Sequence, residues 1–168
     1  MAYLVHANIH DVAFELKVYK FKEKFDLHDR RTIDFLPRHV TLMHGDFSEK
    51  KDNVLIELLE QINFNQFNVK LGKLELFEEN SLVSLVKSNK IIELHMKVLG
   101  QLKRCGTNNS SFYNEKYNPH VTLLKINPRY FDKVDEGAFS GDILNIEEFV
   151  LSKKTNNYWE PIKTFSLD

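Results

Sequence analysis

The tetrapeptide His-Val-Thr-Leu occurs twice in the chain, at residues 39–42 and again at residues 120–123. Each copy closely follows a proline, and its alternation of polar and apolar side chains predicts a β-strand. On a strand, residues i and i+2 point to the same face, so the histidine and threonine of each copy project together while valine and leucine turn into the core. The repeat therefore predicts two equivalent strands, each presenting one imidazole and one hydroxyl.

Hydrophobic periodicity divides the rest of the 168-residue chain into strands and helices in mixed order. We predict strands at Tyr3–Ile9, His39–Met43, Phe67–Glu78, Leu82–Lys87, His120–Ile126, Ile143–Ser152 and Trp159–Ser166, and helices at Asp11–Phe25 and Asn89–Cys105. Each half contains strands and one well-formed amphipathic helix. The sequence therefore predicts an α+β fold whose two halves are pseudo-equivalent.

Capping residues give two more specific expectations for helices. Asp46, with Glu49 three residues later, has the spacing of a capping box and predicts a helix of about fifteen residues with Val54 on its apolar stripe. Ser88 is predicted to cap the helix that begins near Asn89, and Ile92 is expected on the inward face of that helix.

Composition and charge exclude several classes of function. With 42% apolar and 28% charged residues, the chain has the composition of a folded protein. The formal charge of -1 provides no global cationic field, so any phosphate-bearing ligand must be bound locally. The single Cys105 cannot form an internal disulfide, and no apolar stretch has the length of a membrane helix. We expect one cytoplasmic domain over residues 1–168, with no membrane attachment and no obligatory protein partner.

Two histidines that face each other suit the cleavage of a phosphodiester. This reaction needs a base to deprotonate the attacking hydroxyl and an acid to protonate the departing oxygen, and histidine can serve as either near neutral pH. The threonine hydroxyls would donate to the non-bridging phosphate oxygens, where negative charge concentrates. Such a site needs no metal, and because the chain has no glycine-rich phosphate loop, no cofactor is expected.

These residues resemble the two-histidine (2H) phosphoesterase superfamily, which includes LigT-like 2′-5′ RNA ligases, cyclic nucleotide phosphodiesterases and viral enzymes that degrade 2′,5′-oligoadenylates. Its signature is a pair of His-x-Thr/Ser-x motifs, matched here by His39 with Thr41 and by His120 with Thr122. The resemblance implies a bilobed α+β fold, in which two pseudo-symmetric lobes of antiparallel sheet with helices surround a central cleft. It also implies an internal duplication and a catalytic role for these four residues.

Candidate substrate-binding residues lie close to the two motifs. Lys125 stands five residues after His120, where many LigT-like proteins carry arginine, and Arg38 directly precedes His39. On an unbroken strand both of these offsets point away from the face of the histidine, so phosphate contact requires the strand to bend or end there. Aromatic side chains next to the motifs are candidates for stacking on a base, namely Phe35, Phe112, Tyr113 and Tyr117.

A metal site is the competing chemical interpretation, because His44 and Asp46 follow the first motif closely. The alternation of an unbroken strand puts His44 on the opposite face from His39, and no helical His-Glu-x-x-His arrangement is present. We therefore favour a metal-independent phosphodiesterase acting on a 2′,5′-linked oligonucleotide or a 2′,3′-cyclic phosphate. Two alternatives stay open, an enzyme that degrades a cyclic nucleotide signal and a non-catalytic module that binds RNA or phosphate.

Overall fold

The computed structural model describes residues 1–24, 37–47, 50–77, 80–105, 117–156 and 158–168. The helices of these ranges are α1 Val12–Lys24, α2 Asp52–Leu59, α3 Asn89–Lys103 and a 3₁₀ helix Pro128–Lys133. The strands are β1 Ala2–Asn8, β2 His39–Asp46, β3 Phe67–Phe77, β4 Ser81–Lys87, β5 His120–Lys125, β6 Ile143–Ile146, β7 Glu148–Thr155 and β8 Tyr158–Ser166. The predicted α+β class is confirmed.

The strands form one antiparallel sheet in the order β6-β3-β4-β5-β2-β1-β7-β8. We call β2, β1, β7 and β8 the first lobe, and β5, β4, β3 and β6 the second lobe. The lobes join where β2 meets β5, and there the only backbone register pair among the described residues is Val40 with Val121. We call this junction the seam. It lies between the two repeated motifs.

The two strands nearest the seam follow the same order along the chain in each lobe. In the first, β1 leads through α1 into β2, and in the second, β4 leads through α3 into β5; each repeated motif opens the last strand of its unit. The helices also cross over: α3 packs against β2, while Phe14 and Phe21 of α1 lie edge-on to Phe139, which precedes β6. This topology is compatible with the predicted internal duplication, which stays a prediction.

A β-bulge interrupts the alternation of each motif strand at the same place. His6 of β1 pairs with Thr41 and the next pair is Val5 with Met43, so Leu42 is the extra residue. In the second lobe Val83 pairs with Thr122 and Leu82 pairs with Leu124, so Leu123 is extra. A bulge shifts the side-chain alternation of the bulged strand by one residue relative to its partner. The face that carries both histidines, called the cleft face below, therefore receives different residues beyond each bulge.

The helix predictions are confirmed in part. Asp11 caps α1 by accepting a hydrogen bond from the Phe14 amide at 2.9 Å. Ser88 caps α3 as predicted, accepting from the Ile91 amide. The inward position predicted for Ile92 is wrong, since its side chain is exposed. The buried stripe of α3 instead runs through Ile91, Leu94, His95, Val98, Leu99 and Leu102.

The capping box predicted at Asp46 is wrong. Asp46 pairs with Ala2 and ends β2, and the Phe47 amide donates to the Met1 carbonyl, so the backbone there is still extended along the edge of β1. The helix begins six residues later at Asp52 and spans 8 residues, and its Val54 is exposed. Pairing with β1 thus prevails over a local capping pattern.

The strand predicted at Ile143–Ser152 is divided at Glu147 into β6 and β7, which pair with different neighbours, β3 in the second lobe and β1 in the first. The hairpin of β3 and β4 is confirmed. Among the described residues, no helix is long and apolar enough to cross a membrane.

Candidate active site

The two motif histidines occupy matching positions at the start of β2 and of β5. The Nδ1 atom of His39 lies 2.9 Å from the Pro37 carbonyl oxygen, and the Nδ1 atom of His120 lies 2.9 Å from the Asn118 carbonyl oxygen. A carbonyl can only accept, so each Nδ1 must carry the proton in these bonds. In the neutral ring, Nε2 is then the nitrogen that can accept a proton from a reacting group.

The register across the seam brings the two motifs together head to tail. Because Val40 lies opposite Val121 in antiparallel strands, Thr122 falls across from His39 and Thr41 falls across from His120. All four side chains are partly exposed, while the intervening valines and leucines are buried. The predicted grouping of two imidazoles and two hydroxyls around one point of the sheet is therefore present in the geometry.

An aromatic ring lies beside each motif histidine. The centroid of the His6 ring lies 4.8 Å from that of His39 at an interplanar angle of 56°. On the other side, the centroids of Phe77 and His120 are 4.7 Å apart at 58°. These neighbours restrict the orientation of both imidazoles, and the sequence analysis singled out neither of them.

His6 is the most perturbed histidine near the site. It is 1% exposed, its Nε2 atom lies 3.0 Å from the Ser152 hydroxyl, and its Nδ1 atom has no hydrogen-bond partner in the described structure. Burial, reinforced by repulsion from a charged His39, lowers the pKa of His6 to about 3, although Asn8 opposes part of this effect. His6 is therefore neutral at the pH at which a histidine pair works. Its register equivalent in the second lobe is Val83.

The bulges move two further side chains onto the cleft face. Lys125 lies opposite Ser81, which lines a cavity beside His120, so Lys125 shares the face of His120 despite its odd offset. In the first lobe, His44 pairs with Leu4 beyond the bulge and shares the face of His39. The expectation that His44 points away from that face is therefore wrong, because the strand is not regular.

His44 and Lys125 are equivalent residues of the two lobes, five positions after each motif histidine. His44 packs edge-on against Trp159, with ring centroids 5.5 Å apart. Burial is the largest influence on His44 and lowers its pKa, with Asp46 opposing and Lys154 adding to the effect. The described residues include no cluster of three or more histidine, cysteine or acidic side chains that could hold a metal ion.

Two of the predicted substrate-binding residues bind backbone carbonyls across the seam. Arg38 donates to the carbonyls of Thr122 and Leu123. The hydroxyl of Tyr117 donates to the Thr41 carbonyl at 2.8 Å, and burial raises the pKa of this phenol. The other aromatic candidates, Phe35, Phe112 and Tyr113, lie outside the described residues.

Two cavities adjoin the motif residues. One of about 490 Å³ lies in the second lobe and is lined by Leu76, Phe77, Ser81, Val83, His120 and Thr122. Its walls combine an aromatic ring and aliphatic side chains with the polar groups of the second motif, which is the usual make-up of a small-molecule site. The other cavity, of about 730 Å³, lies between α1 and the Pro37–His39 segment and reaches Thr122. Space for a ligand therefore exists beside both motifs.

The fold matches solved structures over nearly the whole chain. Escherichia coli LigT complexed with 3′-AMP is 18% identical with a TM-score of 0.68, and the match covers 98% of this chain and 97% of that one. TT0787 of Thermus thermophilus is 13% identical with a TM-score of 0.71, covering 99% and 98% of the two chains. Kluyveromyces marxianus Usb1 is 14% identical with a TM-score of 0.53, covering 99% and 97%.

No curated protein matches the sequence. The model of the 2′-5′ RNA ligase superfamily does match it, over residues 13–134, which include both motifs, their bulges and the seam. The predicted LigT-like fold is thus confirmed, as is the predicted membership of the two-histidine phosphoesterases. The chain belongs to the 2′-5′ RNA ligase superfamily.

Proposed function

We propose that this protein is a metal-independent phosphodiesterase that cleaves an RNA-type substrate, a 2′,5′-linked oligonucleotide or a 2′,3′-cyclic phosphate. The observation that carries the proposal is the matched geometry of His39 and His120. Both rings hydrogen bond through Nδ1 to the carbonyl two residues earlier, on strands that meet at the seam. A protein that only binds phosphate needs donors, but it has no need for two imidazoles with the same tautomer.

The reaction follows from the two protonation states of a histidine. One motif histidine, neutral, accepts a proton at Nε2 from the attacking hydroxyl, which is a water or the adjacent ribose hydroxyl. The new P–O bond forms as the opposite P–O bond breaks, and the second histidine, protonated, gives its Nε2 proton to the departing oxygen. After the reaction the first histidine is protonated and the second is neutral, and proton exchange with solvent restores the starting protonation states of the pair.

The threonine hydroxyls support the proposal by their position across the seam. With Thr122 opposite His39 and Thr41 opposite His120, both hydroxyls flank a phosphate held between the rings. Donors preorganised toward the non-bridging oxygens stabilise the charge that accumulates there in the transition state. Lys125, on the same face beyond the bulge, supplies a cation for the same phosphate or for a neighbouring one.

Two observations support the proposal that the substrate contains a nucleotide: the cavity beside His120 and the ligands of a related structure. The cavity beside His120 places Phe77 against polar groups, a combination that suits a base or ribose. LigT, which shares the fold, has been solved complexed with 3′-AMP, ATP and NADP+. Accommodation of a nucleotide is the common element of these observations.

A substrate screen with matched variants tests the proposal. The wild-type protein is incubated with 2′,3′-cyclic nucleotides, 2′,5′-oligoadenylates, 3′,5′-linked oligonucleotides and cyclic dinucleotides, beside His39→Ala and His120→Ala. Turnover of one of the first two classes, lost in both folded variants, supports the proposal. Turnover of a cyclic dinucleotide instead favours the signalling alternative. Binding of a nucleotide with no turnover of any substrate favours the non-catalytic module.

A further inference from the structure

Backbone carbonyls of both motif strands accept hydrogen bonds from side chains at the seam. Among the described residues only Val40 and Val121 form a register pair between β2 and β5, and a bulge interrupts the pairing of each strand with its other neighbour. A carbonyl that is even partly buried where the strand pairing is interrupted needs a donor from elsewhere, because an unpaired polar group is costly to bury. The donors are side chains, and each of them comes from the opposite lobe.

Arg38 provides the donor on one side. Its Nη1 atom lies 3.0 Å from the carbonyl oxygen of Thr122, just before the second bulge, and 2.5 Å from that of Leu123, the bulged residue. Its Nε atom donates to a carboxylate oxygen of Glu15 at 3.2 Å, which holds the planar guanidinium in orientation. Arg38 directly precedes His39, so these bonds tie the first histidine to the second motif strand.

Tyr117 and His95 provide the donors on the other side. The Tyr117 hydroxyl donates to the Thr41 carbonyl at 2.8 Å, and Nδ1 of His95 donates to the Leu42 carbonyl, next to it at the first bulge. The two rings are stacked, with centroids 3.8 Å apart and planes 9° from parallel. Tyr117 lies three residues before His120, so its bond ties the second histidine to the first motif strand.

We propose that Arg38 and Tyr117 are reciprocal positioning residues, each of which fixes the histidine of its own lobe against the motif strand of the other. The two contacts close the seam from opposite directions, and together they set the distance between His39 and His120. The consequence for turnover rests on the proposed function. The mechanical part, that these side chains hold β2 and β5 together, does not depend on it.

The alternative for both residues is direct contact with substrate, as sequence reasoning predicts. The two roles differ in what they change. A substrate contact contributes to binding, so its loss raises KM or the Kd of a nucleotide. A positioning contact leaves binding of the product largely intact and lowers kcat, because the two imidazoles no longer sit in line with the phosphorus.

The test uses Tyr117→Phe, Arg38→Met and Arg38→Lys in the full chain. Tyr117→Phe keeps the ring that stacks on His95 and removes only the hydroxyl. Arg38→Met removes the donors, while Arg38→Lys returns one cationic donor to the carbonyls. The matched controls are Tyr130→Phe and Arg129→Met, because these two side chains bond to each other at 2.9 Å on the 3₁₀ helix rather than at the seam.

The first readout is hydrogen exchange of the amides in β2 and β5, followed by mass spectrometry. One lost hydrogen bond should speed exchange there roughly five- to tenfold in Tyr117→Phe and more in Arg38→Met. Arg38→Lys should recover part of the protection, and β8 and both controls should match wild type. Unchanged exchange in both seam variants overturns the proposal.

The second readout is steady-state kinetics on the substrate found for the wild-type protein. The expected result is a kcat reduced by a similar factor in Tyr117→Phe and Arg38→Met, with KM within about twofold and partial rescue by Arg38→Lys. A raised KM with normal exchange assigns the residues to the substrate and overturns the proposal. If the wild-type protein cleaves no phosphodiester, faster exchange at the seam still supports the contacts, and the failure belongs to the proposed function alone.

Discussion

Replacing His6 by valine should make the protein less sensitive to mild acid. The unfolded chain takes up a proton on His6 near its ordinary pKa of 6.5, whereas the folded chain does not until about pH 3. Between these values the unfolded state binds more protons, so the free energy of unfolding falls as the pH is lowered. From pH 7.5 to pH 5 this one imidazole accounts for a loss of about 2 kcal/mol, as follows from 1.36 kcal/mol per pKa unit.

The measurement is urea unfolding of wild type and His6→Val at both pH values. Valine is the residue that the second lobe carries at the equivalent position, Val83, so the strand tolerates it. The drop in unfolding free energy between pH 7.5 and pH 5 should be about 2 kcal/mol smaller in the variant. Part of the drop remains, because burial also lowers the pKa of His44 and that of His95.

The control is Val150→Ala, which removes apolar atoms directly opposite His6 on β7 without removing a titrating group. This variant should be less stable at both pH values, yet it should lose the same free energy as wild type between them. If His6→Val shows the wild-type loss as well, then the buried imidazole is not the acid-sensitive group and the reasoning from its burial is refuted.

Three further predictions concern the site itself. Thr41→Val and Thr122→Val keep the β-branched shape, and each should lower kcat, measured by steady-state kinetics, by an amount equivalent to about 2 to 4 kcal/mol. A wild-type kcat in both variants would show that the hydroxyls only complete the strands. Activity should persist in excess EDTA, because the catalytic groups are imidazoles and hydroxyls; loss that a divalent ion reverses would favour a metal mechanism. Lys125→Met should raise KM more than it lowers kcat, with Lys133→Met on the 3₁₀ helix as control. An unchanged KM would show that Lys125 does not contact the substrate.

The fold could be predicted from the sequence mainly because of the repeated motif. An identical tetrapeptide with strand alternation in each half indicates that the two halves have equivalent structures. It also identified the four side chains that the structure brings together at the seam. The hydrogen bonds that orient the rings could be expected only after the fold was known, since the bonds from Nδ1 depend on how the chain enters each strand.

The bulges at Leu42 and Leu123 explain most of what sequence reasoning missed. Regular alternation, applied across both strands, predicted that His44 points away from the cleft face and that Lys125 reaches this face only if its strand bends or ends. Both bulges could have been predicted from the pairs of consecutive apolar residues, Leu42-Met43 and Leu123-Leu124, which break the period of two in both copies. The partners of Arg38 and Tyr117 could not be predicted at all, because they are backbone carbonyls of a distant strand.

The most direct test of paired acid and base catalysis compares two leaving groups in His39→Ala and His120→Ala. One substrate is a 2′,5′-linked dinucleotide, and the other is a nucleoside 2′-(p-nitrophenyl) phosphodiester, whose leaving group departs as the p-nitrophenolate anion without needing a proton. Loss of the general acid should cost roughly a hundred- to ten-thousand-fold on the dinucleotide and far less on the activated ester, whereas loss of the base should cost the same on both. We predict that one of the two variants, and only one, is rescued by the activated leaving group; rescue of both variants, or of neither, would contradict the division of roles between the two histidines.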